Sequence, residues 1–159
     1  LPRKDFATFN SRHENSYSRL KMIRISDYMQ VAYNAVKPLC EKVFLKDRPK
    51  SVDQKTDCYI VVDMPSYISN REIDYSGSFD YYVTTIGFYI FVRDKVTSRH
   101  LENIDIVMMD ELLKQVLALF PIADREKGVK IHRPRVVVSN SDGDGWHYTL
   151  VSARMTTYF

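Results

Sequence analysis

The spacing with the clearest chemical meaning lies in SNSDGDGWHYT, residues 139–149. Asn140, Asp142 and Asp144 put oxygen donors at alternate positions, and Gly145 follows, as in the first half of a calcium loop. Such a loop also needs a bidentate carboxylate at its twelfth position, which counted from Asn140 is Val151. No Asp or Glu follows Asp144. The flanks RVVV and HYTLVSA are rich in β-branched residues and read as strands, not as the helices of a calcium-binding hand. Asp-Gly between two such runs signals a hairpin, because both residues tolerate the positive φ of a tight turn. The stretch therefore predicts a hairpin tip without a metal.

Other reactive residues are dispersed. The four histidines are His13, His100, His132 and His147, of which the last two fall on the neighbouring strands of that hairpin. They could approach each other, but a metal site needs three or four protein ligands and no third is evident. Asp142 and Asp144 are paired carboxylates at a wet tip, where nothing separates their pKa values for acid–base work. No serine or cysteine sits in a G-x-S-x-G turn, and no glycine-rich phosphate loop occurs. Cys40 and Cys58 are the only cysteines and form no C-x-x-C or Cys/His cluster, so they read as buried free thiols. No catalytic residue, metal ligand or cofactor site is expected. The rival reading is a small metal-dependent enzyme or ligand-binding domain using His132, His147, Asp142 or Asp144.

The elements that carry these residues can be read from periodicity. Ser26 caps a helix with Asp27 in its first turn, and Met29, Ala32, Val36, Leu39 and Val43 recur at helical spacing. Pro38 should kink or divide that helix. The polar segment LKDRPKSVDQKT is a loop. DCYIVVDMP is a strand stopped by Pro65, and its continuous apolar run Tyr59–Val62 should be covered on both faces or lie centrally. A long connection follows, with a little strand around Arg71–Tyr75. FDYYVTTIGFYIFVRD is a long strand in which Gly87 should mark a bend or bulge. Ser98 caps a second helix with the stripe Leu101, Ile104, Met108, Leu112, Val116 and Leu119, ended by Pro121. DREKG is a polar turn, and VKIHRPRVVV with WHYTLVSARMTTYF makes the closing hairpin. Pro134 places its strand at an edge or in a bulge. The order α-β-β-α-β-β, with hairpin connections, predicts a two-layer α+β domain over residues 26–159: a mainly antiparallel sheet packed with two helices.

Charge is unevenly placed. Residues 1–25 hold six basic side chains against Asp5 and Glu14, a net +4, so the remainder carries −1 of the chain's +3. This basic N-terminal arm suits an acidic partner or nucleic acid, or is a solvated terminus. Its Phe6, Phe9 and Tyr17 favour an arm that docks. Tyr67, Tyr75, Phe79, Tyr81 and Tyr82 cluster in and after the long connection, as on protein contact surfaces. Arg71 is the only basic residue between 66 and 92, so a nucleic-acid surface is a poor reading there. No apolar run is long enough to cross a bilayer, and the start does not read as a signal peptide. A start at Leu1 rather than Met is consistent with removal of an upstream piece.

A helix, a strand with VVDMP, a long connection, the strand YYVTTIGFYIFVRD, the helix IDIVMMDELLKQVLALF and a closing hairpin follow one another. This order resembles the tail-terminator and tail-completion proteins of tailed bacteriophages and the neck proteins related to them. The resemblance covers roughly residues 26–159 and is one of pattern and order. It departs from that family in its basic, aromatic arm and its divided first helix. It implies a non-enzymatic viral structural protein of the virion, assembled in the bacterial cytoplasm. It further implies a homo-oligomeric ring, often a hexamer, that caps the tail tube and joins it to the head connector, with no catalytic residues. The candidate partner contacts are Phe6, Phe9, Tyr17, Tyr67, Tyr75 and Phe79.

Overall fold

The structure, a computed structural model, describes residues 25–64, 68–72, 80–95, 105–141 and 144–157. Helix α1, Ile25–Val36, buries Tyr28, Val31, Ala32 and Val36 along one stripe. It stops where Pro38 cannot donate a backbone hydrogen bond, and Lys37–Leu39 make one 3-10 turn. The expected division at Pro38 is thus present, but the helical stripe does not run on to Val43. Cys40 is extended (φ −144°, ψ 136°), and Val43–Leu45 form strand β1. The apolar spacing continues across the proline, while β-branched Val43 and its apolar neighbours complete a sheet margin instead.

Strand β2, Cys58–Asp63, pairs in parallel with β1, Val43 opposite Ile60. Tyr59–Val62 are buried on both faces, as their continuous apolar run predicts. Strand β3 is Ser69–Glu72, and β4 is the 14-residue Asp80–Arg93. One margin of β4 pairs with β3 over residues 80–83 and with β2 over 87–92, which is how so long a strand is used. The expected break at Gly87 is absent: the ladder runs straight through Gly87 opposite Asp63 on one side and Ser152 on the other. Close approach explains this glycine, since a Cβ there would lie 3.1 Å from Leu150 Cδ1 and 3.4 Å from Tyr89 Cε2.

Helix α2, Ile106–Ala118, is capped by Asp105, whose Oδ1 accepts from the Met108 N–H at 3.2 Å. The helix begins after Asp105, not after Ser98, which lies with Leu101 and Ile104 outside the described residues. Met109, Leu112 and Val116 are buried as the stripe requires. Strand β5, Ile122–Asp124, was not expected and pairs with Val129–Ile131. The polar turn between them closes on Gly128 at φ +65°.

Strands β6, Val129–Ser141, and β7, Trp146–Thr157, form the closing hairpin. Its register slips between His132 and Arg135, with Arg133 at φ +53°, the bulge predicted from Pro134. Beyond Ile131, β6 has no described partner on its outer side.

The described strands form one mainly antiparallel sheet in the order β1-β2-β4-β7-β6-β5, with β3 alongside β4. Helix α1 packs on β1 and β2 and also on β5 and β6, so the sheet curls around it; α2 lies over β4 and β7. The result is an α+β fold with three strands more than the expected order. Between sheet and helices lies the main core, which includes Ile60, Val62, Ile86, Phe88, Ile90, Val151 and Met155. Among the described residues no helix is long and apolar enough to cross a membrane.

Candidate functional site

The helix-free face of the sheet carries a second, aromatic cluster. Alternation along the strands puts Tyr59 and Val61 of β2, Phe91 of β4 and Trp146 of β7 on this face, all buried. Tyr59 stacks on Phe91 at 4.7 Å and meets Trp146 edge-on at 4.8 Å. Two guanidinium groups lie over these rings, Arg48 at 4.8 Å from the Phe91 centroid and Arg93 at 4.3 Å from that of Trp146. Arg48 Nε donates to Tyr59 Oη at 2.8 Å. Arg93 donates to the carbonyls of Thr56 at 3.0 Å and Asp53 at 3.2 Å. The two arginines therefore fasten loop 46–57 onto the aromatic face. A cleft of about 440 Å³ opens beside them, lined by residues such as Lys50, Val52, Asp144 and Trp146. A second, of about 380 Å³, lies between Lys37, Lys42, Phe44 and the same loop.

At the end of β4 and the start of β7, His147 Nδ1 lies 2.6 Å from Asp94 Oδ1. The Asp94 N–H also donates to the Gly145 carbonyl at 2.9 Å, tying the hairpin tip to β4. An imidazole oriented by a carboxylate is half of a general-base arrangement. Here Nε2, where a substrate proton would be taken, is buried without a hydrogen-bond partner. Among the described residues no nucleophile bonds to it, and the pair ties the start of β7 to the residue that follows β4.

His132 is opposite Arg154, seven residues along β7 from His147, a separation of ~23 Å at ~3.3 Å per residue. The two histidines of the rival metal reading therefore do not meet. Partial burial, then the charges of Lys130, Arg133 and Arg154, holds His132 below the ordinary imidazole value. Among the described residues no three His, Cys, Asp or Glu side chains gather as a metal site would require. Asp144 is exposed; Asp142 lies outside the described residues.

Cys40 and Cys58, separate in the sequence reading, are brought together with their sulfurs 3.5 Å apart. Both thiols are free; Cys40 is buried and Cys58 only partly so. On the other side of the fold, β6 presents Arg133, Pro134, Arg135, Val137 and Val138 to solvent, Val138 being 82% exposed.

The candidate contacts Phe6, Phe9, Tyr17, Tyr67, Tyr75 and Phe79 all lie outside the described residues, as do His13 and His100. Tyr81 and Tyr82 are half-buried on β4. Sequence reasoning missed the aromatic face and the Asp94–His147 pair. The first had a signal: Tyr89, Phe91 and Arg93, like Trp146 and Tyr148, alternate at strand period. The chain matches no protein-family model and no curated protein.

Proposed function

We propose that this chain is a non-enzymatic structural subunit that assembles head-to-tail into a homo-oligomeric ring at the tail end or neck of a tailed phage. The observation that supports assembly is the pair of dissimilar sheet margins. On one side is β1, whose Leu45 is 42% exposed; on the other is the outer run of β6, with Val137 and Val138 beside Arg133 and Arg135. Head-to-tail closure needs two different surfaces on each subunit, and these margins are different. Pro134, the bulge and the flanking arginines guard β6 against indiscriminate strand pairing. Placement at the tail tube and head connector rests on the resemblance in element order. In this reading the arm with Phe6, Phe9 and Tyr17, and the connection with Tyr67, Tyr75 and Phe79, reach adjacent rings.

Mass measurement in solution and negative-stain microscopy, with and without isolated tail tubes, test the proposal. A discrete ring, free or on tube ends, is expected. A monomer at all concentrations that ignores tubes overturns it. Salt-sensitive DNA binding lost on removal of residues 1–25 would instead make the chain a nucleic-acid adaptor.

A further inference from the structure

We propose that Cys40 and Cys58 form a reversible intramolecular disulfide when the protein meets a small hydroperoxide. Their sulfurs are 3.5 Å apart, and Cys40 Sγ is also 3.5 Å from the Cys58 carbonyl oxygen. Two backbone features hold them there. The turn containing Pro38 swings the chain out of α1 and leaves Cys40 extended. The parallel ladder then fixes the next residues against the start of β2, with the Ile60 N–H donating to the Lys42 carbonyl at 3.1 Å. A disulfide bond is about 2.05 Å long, so the sulfurs must close by about 1.5 Å.

The two thiols are unequal, which assigns them different parts. A hydrogen bond from Cys58 holds the Cys40 thiol down at about 7, although burial opposes this. The same bond, and burial, push the Cys58 thiol up, so it keeps its proton. The lowering enlarges the share of Cys40 in the thiolate form, the form that attacks a peroxide. The residue is only 5% exposed, which favours a two-oxygen oxidant over a bulky disulfide reagent.

The Cys40 sulfur attacks one peroxide oxygen and the O–O bond breaks. The departing hydroxide takes up the proton Cys40 had released, leaving water and a sulfenic acid. The Cys58 sulfur then attacks the Cys40 sulfur and displaces hydroxide, which leaves as water with the Cys58 proton. Two thiols give up two electrons and two hydrogens, and one hydrogen peroxide becomes two waters. The bond would close the chain around β1 and loop 46–57, the loop that the arginines fasten over Tyr59, Phe91 and Trp146.

The test uses the full chain, treated with hydrogen peroxide, quenched, denatured, alkylated with iodoacetamide and mapped by mass spectrometry. The expected result is a peptide joining residues 40 and 58, lighter by two hydrogens, without alkylation and restored by dithiothreitol. The thermal midpoint should rise by on the order of 5–10 °C before reduction. In Cys58→Ser, a dimedone adduct should appear at Cys40 and no cross-link should form. Peroxide-treated wild type in which both thiols still take up iodoacetamide overturns the proposal. So does a cross-link found only between chains. Both outcomes are read on the wild type, whether or not the variant folds.

Discussion

His147 Nδ1 and Asp94 Oδ1 meet at 2.6 Å, each on a side chain only 3% exposed, and fasten the start of β7 to the residue that follows β4. Removing Asp94 takes away the carboxylate that His147 Nδ1 meets, and removing His147 takes away a buried contact of Asp94. Asp94→Ala and His147→Ala should each cost about 1–3 kcal/mol in urea unfolding. The double variant should cost less than their sum, because both single changes remove the same contact. Strict additivity would mean that the two side chains are energetically independent.

Leu112 faces the sheet from the middle of α2 and is 7% exposed, whereas Val107 on the same helix is 78% exposed. Leu112→Ala should cost about 2–5 kcal/mol. Val107→Ala should stay within about 0.5 kcal/mol of wild type. Equal effects at the two sites would place the wrong side of α2 against the core.

Two glycines test different constraints. Gly145 sits at φ +84° with open space where a Cβ would point, so Gly145→Ala should cost about 1–2 kcal/mol through the backbone alone. Gly87 has no such backbone demand and meets only the ends of the Leu150 and Tyr89 side chains within 3.4 Å. Gly87→Ala should therefore cost less than Gly145→Ala in the same denaturation assay.

Trp146 is the chain's only tryptophan and is buried under Arg93, so its fluorescence reports directly on the aromatic face. Trp146→Ala should cost about 3–5 kcal/mol. Tyr59→Phe removes the acceptor of Arg48 Nε and should cost about 0.5–1.5 kcal/mol. In Tyr59→Phe a shift of tryptophan emission towards that of the unfolded chain, without loss of global stability, would show loop 46–57 lifting by itself.

The reduced thiols carry a pH signature. Cys40 is depressed to about 7 from an ordinary 9.0, so its contribution is present above pH 9 and is lost as pH falls through 7. Cys58 is raised, so its contribution is present below 9 and declines as pH rises above that value. Stability attributable to the pair should therefore climb from pH 7 to 9 and fall beyond. Urea midpoints across this range, compared with the Cys40→Ser, Cys58→Ser double variant, check it; parallel curves would remove the coupling.

What was legible in the sequence was local. The α2 stripe through Leu112 and Val116, the two-sided burial of Tyr59–Val62 and the bulge at Pro134 each follow from periodicity or from one residue's stereochemistry. Strands β1 and β5 were not legible, because three residues establish no period and their pairing partners are supplied by distant chain. Val43 even fits the helical spacing that Pro38 interrupts. Asp94 and His147 are 53 positions apart, and Cys40 and Cys58 are 18 apart; only the sheet register brings either pair together. Gly87 misled because a glycine needed for close packing looks, in sequence, like one needed for a bulge. The candidate contacts in the arm and the long connection lie outside the described residues, so the fold neither places them nor moves them.

Strand β7 follows every other described strand, yet it lies between β4 and β6 in the sheet. During synthesis, then, the earlier strands emerge before the one that joins them. Until Trp146–Thr157 has left the ribosome, β4 and β6 each lack the neighbour that pairs most of their length. A nascent or truncated product ending before Trp146 would expose the β4 margin beside Phe88 and Ile90, a surface suited to sticking to other unfinished copies. Completion of the sheet therefore waits on β7, and chaperone dependence should be greatest just before it emerges.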